Sequence, residues 1–285
     1  MSLVTTRRGF LGGAAAGLTA LAAADSSGEG AGAVIENEYA GFKLGVATYS
    51  FREFQRGLAI KMTKDLQTPY VSVKEFHLPY CSTPQELAQG RKNFESAGLK
   101  IMSGGNVSLE KADETEMRKY FEYARACGMP MIVCAPVHEN LKLLEKFVKE
   151  YNIKAAIHNH GPEDKNFPSP QSVLEAVKDL DPRVGLCMDV GHTSRTGADI
   201  VKSIAEAGPR LLDMHMKDLK VASDKDSQCD VGEGVLPILG IFKQLQKIGY
   251  HGCVDLEYEI HEDAPLTGML KSFAYMRGLL AAMAA

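Results

Sequence analysis

From residue 43 onward the chain alternates two kinds of apolar pattern. The first is a short run of β-branched and aliphatic residues, recurring at 44–51, 70–78, 99–107, 129–136, 154–160, 184–190, 211–217 and 252–259. Runs of this length and composition read as strands. The second kind, seen at 139–151, 198–207 and 235–248, places apolar residues three and four apart, the period of a half-buried helix. Thr83-Pro84 and Ser169-Pro170 each set a capping residue before a proline, which opens helices through 97 and 180. A last helix is expected over 266–283. Repeated strand–helix units imply a parallel sheet, and eight of them in one stretch imply a closed (β/α)8 barrel. An open doubly wound sheet would need a glycine-rich first turn for a nucleotide, and Ala47-Thr48-Tyr49-Ser50 is not one. No linker interrupts residues 43–285, so they are expected to form a single domain.

The first 35 residues follow neither pattern. Arg7-Arg8 precedes Phe10-Leu11 and a small apolar run that ends Ala22-Ala23-Ala24. A charged start, a short apolar stretch and an Ala-x-Ala site describe an export signal, and the paired arginines specify the twin-arginine route. The run is too short to span a bilayer, which takes about 20 apolar residues. Residues 1–24 are therefore expected to be a cleaved twin-arginine signal peptide, and 25–42, opening with a Gly/Ser-rich stretch, a flexible leader. The implied partner is the twin-arginine export machinery. The implied location is the periplasm or outside the cell, with no stable membrane insertion after cleavage. Cys134, Cys187 and Cys253 lie inside apolar runs and read as small core residues, even in an oxidising compartment.

Composition adds exclusions. Apolar residues make up 45% and charged residues 24%, which rules out a disordered or polytopic membrane chain. The formal charge is −4, and losing Arg7 and Arg8 with the signal makes it −6. An acidic chain argues against a general nucleic-acid partner. A homo-oligomer is left open.

In such a barrel the active site lies at the C-terminal ends of the strands. Four consecutive strands end in imidazoles and carboxylates: His158-Asn159-His160, Asp189-Val190-Gly191-His192, His215-Met216-Lys217-Asp218 and Asp255-Leu256-Glu257-Tyr258-Glu259. Strand residues two apart share a face, so His158 and His160 point together, as do His215 and Lys217, and Asp255 and Glu257. Burying so many charges is costly unless they pair or bind a cation, and a divalent ion with mixed nitrogen and oxygen ligands resolves that cost. Mn2+ or Zn2+ suits the set best, with Co2+ and Mg2+ open. Such an ion chelates a hydroxy-carbonyl unit and acidifies the neighbouring C–H, a nearby carboxylate or imidazole takes the proton, and a cation such as Lys217 helps hold the enediolate. Lys74, Glu75 and His77 end the second strand, and one face of that run should reach the mouth. Gly104-Gly105-Asn106 reads either as close backbone approach to a substrate or as a turn. Gly232-Glu233-Gly234 reads either as a flap over the substrate or as an ordinary loop.

The runs Ile157-His158-Asn159-His160-Gly161-Pro162, Gly185-Leu186-Cys187-Met188-Asp189-Val190-Gly191-His192, His215-Met216-Lys217-Asp218, Val231-Gly232-Glu233-Gly234 and Leu256-Glu257-Tyr258-Glu259 resemble the sugar phosphate isomerase/epimerase family with the xylose isomerase-like barrel. The resemblance spans roughly 43–280 and implies a small-molecule sugar substrate. In the family's ketose epimerases, strands five to eight supply Glu, Asp, His and Glu to one metal. It implies Asp189, His215 and Glu257 as ligands here, with Glu257 also the base and His192 a substrate contact. Strand five departs, because His158 stands where the epimerases have Glu. His158 is then the fourth ligand, or His160 takes that place, and either imidazole can move a proton. Lys74, His77 and Glu233 are further candidate substrate contacts. The departure leans somewhat toward a dehydratase or lyase, for which one base and one acid suffice, but epimerisation or aldose–ketose isomerisation stays the leading expectation. A non-catalytic sugar-binding protein would not need this set. The family's AP endonucleases share Asp-x-x-His and Gly-Glu-Gly but need further histidines. His77 and His138 are on offer, yet Asp226–Asp230 contains none. Phosphate on the substrate is not expected, since no glycine-rich helix start offers an anion site.

Overall fold

The computed structural model describes residues 38–111 and 113–285. Eight parallel strands form the barrel: β1 Phe42–Ala47, β2 Tyr70–Val73, β3 Lys100–Leu109, β4 Met131–Pro136, β5 Lys154–His158, β6 Val184–Asp189, β7 Leu211–Met216 and β8 Cys253–Leu256. Each pairs with its neighbours in sequence, and β8 pairs with β1, so the sheet closes. The expected (β/α)8 barrel is thus the observed architecture. Its outer layer is α1 Arg56–Asp65, α2 Pro84–Ser96, α3 Glu114–Cys127, α4 Leu141–Tyr151, α5 Pro170–Val177, α6 Ile200–Ala207, α7 Ile238–Lys247 and α8 Leu266–Ala284.

The capping signals act as read. Thr83 and Glu86 form a reciprocal capping box on α2, and Ser169 with Ser172 does the same on α5. The apolar stripe of α4 buries Leu141, Leu144, Phe147 and Val148 against the barrel. Truncating Phe147 to Ala costs about 3–5 kcal/mol. Helices α1 and α3 carry no pattern singled out above, because charged residues crowd both. Asp113 caps α3 by accepting from the backbone amides of Thr115 and Glu116.

Strand ends differ from expectation in an informative way. β1 stops at Ala47 and Thr48–Phe51 form a 3-10 turn, which swings Tyr49 over the barrel mouth. β8 ends at Leu256, and the Glu257 amide still donates to Met216 O at 3.0 Å. β3 continues through Gly104-Gly105-Asn106 to Leu109, so that run is strand and not a turn. The expected signal peptide, and the leader up to residue 37, lie outside the described residues. At 38–42 the leader expectation is corrected: Glu38–Tyr39 pair antiparallel with Phe42 and Lys43 of β1. No helix among the described residues is long and apolar enough to cross a membrane. The six cysteines are free thiols, five of them buried and Cys81 exposed.

Candidate active site

Four residues from four consecutive strands meet at the C-terminal mouth. Their ligand atoms, one each from His158, Asp189, His215 and Glu257, all lie within 4.8 Å of one another. Alternation brings them there: His158 and Asp189 are the last residues of β5 and β6, His215 faces inward on β7, and Glu257 follows β8. Asp189 is set by a local rule. It caps the short helix Val190–Arg195, with Oδ1 accepting from the backbone amide of His192 at 2.7 Å, which leaves Oδ2 for the site. Asn159 ties β5 to β6 by accepting from the Asp189 amide at 3.1 Å and donating to Thr193 Oγ1 at 3.2 Å.

Inside the cluster His158 Nε2 lies 2.9 Å from His215 Nδ1 and 3.7 Å from Asp189 Oδ2, and His215 Nδ1 lies 3.1 Å from Glu257 Oε2. Two lysines brace the carboxylates. Lys217 Nζ is 2.9 Å from Asp189 Oδ2, 3.4 Å from Glu257 Oε2 and 2.7 Å from Glu259 Oε2, and Lys74 Nζ is 3.2 Å from Glu257 Oε1. Burial opposes ionisation of Glu257, but His215, Lys74 and Lys217 outweigh it and hold the carboxyl well below its ordinary range. Burial likewise opposes ionisation of Asp189, and His192 and Lys217 overcome it. Burial alone would lower Lys217, yet Asp189, Glu259 and Glu257 hold it well above normal. Burial, then its imidazole neighbours, push His158 far down, so it is a neutral lone-pair donor.

The donor set suits a divalent ion of the Mn2+ or Zn2+ kind: two imidazoles and two ionised carboxylates, all buried. Of the atoms that meet here, Asp189 Oδ2 is buried without a hydrogen-bond partner, its contacts being Lys217 Nζ at 2.9 Å and His158 Nε2 at 3.7 Å. An unmet carboxylate oxygen in a closed site is what a bound ion would satisfy.

His160 stands beside this group. Its ring centroid is 4.3 Å from that of His158, but Nε2 sits 3.0 Å from Asn106 Nδ2 and Nδ1 3.3 Å from Asp164 Oδ2. The chain therefore brings His158 into the four-ligand group and leaves His160 facing the cavity. Burial lowers His160, reinforced by His192. His192 also faces the cavity, with Arg195 Nη1 donating to its Nδ1 at 2.9 Å. A guanidinium can only donate, so that network leaves the ring proton on Nε2. Arg195 is anchored in turn by Glu163. Gly161 makes room for the pair: with φ of 87°, a Cβ there would lie 3.2 Å from Arg195 Nη1 and 3.3 Å from His192 Nδ1.

The cavity has about 290 Å³ and is lined by Tyr49, Lys74, Glu75, Phe76, Asn106, His158, His160, His192, Glu257 and Glu259. Two expected substrate contacts do not reach it. His77 is buried behind β2, with Nδ1 3.0 Å from Thr48 Oγ1 and Nε2 3.1 Å from Phe54 O, and both ring nitrogens are spent on structure. Glu233 projects outward and pairs with Lys220 at 3.6 Å. Its loop is pinned, because Asp218 Oδ2 accepts from the amides of Gly232 and Gly234 and Oδ1 from that of Leu236. That latch contradicts the flap reading. His138 bonds Asn166 O at 3.2 Å and does not join the cluster. Reasoning from sequence gave no site role to Tyr49, Phe76, Asp164 or Arg195, and named Glu259 only as part of a strand end. Glu259 alone carried a readable signal, two positions beyond Glu257.

Residues 78–279 match the family model described as a xylose isomerase-like TIM barrel. No curated protein matches the chain in sequence. Among solved structures, the IolI protein with a bound zinc atom is 16% identical over 85% of this chain and 99% of its own, with a TM-score of 0.72. The 3-keto-D-glucoside 4-epimerase YcjR of E. coli is 14% identical over 83% of this chain and 99% of its own, at 0.70. A probable 3-DHS dehydratase, AsbF, from Bacillus anthracis is 13% identical over 80% of this chain and 97% of its own, at 0.67. At these identities the likeness is one of fold.

Proposed function

The chain belongs to the xylose isomerase-like TIM barrel family, and on that premise we propose that it is a metal-dependent sugar isomerase or epimerase working by proton abstraction beside a carbonyl. The observation that carries this reading is the buried group of His158, Asp189, His215 and Glu257. These four residues would hold the ion, and when bound it supplies Lewis acidity that acidifies the C–H next to a chelated hydroxy-carbonyl unit. Glu257 is ionised and lines the cavity, so it is placed to accept that proton. Lys217 stands behind the cavity lining, where it pairs with Asp189, Glu257 and Glu259 and keeps Asp189 and Glu257 ionised, while Lys74 is the lysine that lines the cavity. His192 donates from Nε2 to a substrate oxygen, and His160 returns a proton on the other side.

A dehydratase or lyase is the second reading. Its support is β5, which presents His158 and His160 where two-carboxylate epimerisation needs a second glutamate. Elimination needs one base and one acid only. The test is incubation of the Mn2+- or Zn2+-loaded protein with ketoses and 3-keto-glycosides in D2O, followed by mass spectrometry. Epimerisation gives product one mass unit heavier, elimination gives product lighter by the leaving group, and no turnover of any member contradicts both. In the same reading the enzyme is exported by the twin-arginine route and works in the periplasm or beyond it. N-terminal sequencing of the secreted protein should then begin at Asp25.

A further inference from the structure

Phe76 is exposed where the residues around it are not. Lys74 is drawn inward by Glu257, and His77 is fixed by Thr48 and Phe54. With Lys74 and His77 anchored on either side of the Glu75-Phe76 pair, Phe76 projects at the mouth with 47% of its surface open to solvent. It leans on Tyr49, with ring centroids 5.9 Å apart, and the Arg52 guanidinium lies 4.7 Å from the Tyr49 centroid. Arg52 is held in turn by Glu262 at 2.6 Å. The two rings therefore form a braced aromatic edge to the cavity.

The ring of Phe76 lines a second space as well. A groove of about 580 Å³ runs on from it, between the start of α1 and the side of α2, lined by Gln55, Arg56, Gly57, Ile60, His77, Pro79 and Asn93. One wall is apolar, from Ile60, Pro79 and Phe76. Gln55, Arg56 and Asn93 offer amide and guanidinium groups. No carboxylate lines the groove, so it is not built for a cation. Arg56 is set in place: Nη1 donates to His77 O at 3.2 Å, and it occupies room that Gly90 of α2 leaves free, since a Cβ there would lie 2.6 Å from Nη1.

A face of C–H bonds with hydroxyls around its rim is the shape of a pyranose ring, and an aromatic face with polar groups at its border is its complement. We propose that this groove is a second subsite, which takes the aglycone or second ring of a glycoside whose reacting ring occupies the inner cavity. The inner cavity, at about 290 Å³, is at the lower limit for a ligand pocket and suits one ring. The substrate class is then a glycoside, not a free monosaccharide, with the glycosidic bond crossing Phe76. The inference rests on the sugar-enzyme reading above and specifies it.

The test compares methyl and phenyl β-D-glycosides of glucose, galactose and xylose on the metal-loaded full chain, by saturation-transfer NMR and calorimetry. The phenyl member should bind about tenfold more tightly, the gain expected of one aromatic contact near the top of its range, with saturation reaching the phenyl protons. Asn93→Trp fills the groove from an exposed position and should collapse that ratio to about one. Gln55→Trp fills it from the opposite wall, at a residue whose side chain makes no cap bond, and serves if the first variant does not fold. A phenyl gain that survives both substitutions, or equal binding of methyl and phenyl members, overturns the subsite and leaves the sugar-enzyme reading standing. Absence of binding by every glycoside, with no ketose turned over either, overturns that reading and the subsite with it.

Discussion

Two pairs of buried carboxylates occupy the same barrel interior, one at the mouth and one beneath it, and they behave oppositely. In the upper layer Asp189 and Glu257 are driven toward ionisation against burial, Asp189 by His192 and Lys217, and Glu257 by His215, Lys74 and Lys217. In the lower layer burial pushes Asp213 well up, with Asp255 adding to it, and raises Asp255 too. The lower pair has hydroxyl and thiol partners instead: Ser103 donates to Asp213 at 2.9 Å and Cys253 to Asp255 at 3.1 Å. All four are buried, so the difference lies in the positively charged and imidazole groups beside them. It teaches that buried carboxyls stay ionised where positive groups meet them and shift toward the protonated form immediately beneath, where burial dominates.

The largest effect should come from breaking the upper layer. Glu257→Gln keeps size and removes charge, and turnover should fall at least ~10²-fold, with metal content falling as well. His160→Asn sharpens the same layer. If His160 moves a proton on the second face, epimerised product falls by ~10² while solvent deuterium exchange through Glu257 survives. If exchange and bound metal vanish together, His160 is a ligand and the present placement is wrong.

The next effect is on stability. His77 was expected at the mouth and proves structural, so His77→Ala should cost about 1–3 kcal/mol in urea unfolding by stranding the groups it bonds. Burial, partly offset by the carbonyls of Phe54 and Phe51, sets its native-state pKa below the ordinary value. The unfolded chain then binds the proton more readily, so stability present above pH ~6.5 is lost as pH falls below that value. The variant should lose less between pH 7 and 5. The slope that persists belongs to His158 and His160, which burial also lowers.

The smallest effect should come from the lower layer. Asp213→Asn keeps the Ser103 contact and replaces a carboxyl that already holds a proton. It should change unfolding free energy by about 1 kcal/mol or less and leave turnover near that of the parent. A large loss of activity would mean that the lower layer is charged and that the contrast drawn between the layers is false.

The barrel was legible because strand and helix periods alternate cleanly through most of the chain. The cluster was legible because four consecutive strands end in imidazoles and carboxylates, and the family resemblance singled out Asp189, His215 and Glu257 among them. What the sequence hid depends on tertiary anchoring. His77 and Phe76 are adjacent, and nothing local says that Thr48 and Phe54 capture the imidazole while the phenyl ring is left outside. The run around Glu233 read as a flap or an ordinary loop with nothing to choose between them, because the amides that Asp218 collects are set by the return of the loop and not by spacing. Arg195 was silent for a similar reason, since its role depends on His192 and on Glu163 from the preceding loop.

The central claim is that His158, Asp189, His215 and Glu257 hold one divalent ion. The direct measurement is metal stoichiometry after dialysis against Mn2+ or Zn2+, in the parent and in Asp189→Asn, which keeps the helix cap but removes the charge. The account predicts about one ion per chain in the parent and a marked loss in the variant, with the fold intact by circular dichroism. No bound ion in the parent, or equal loading of both proteins, would contradict it.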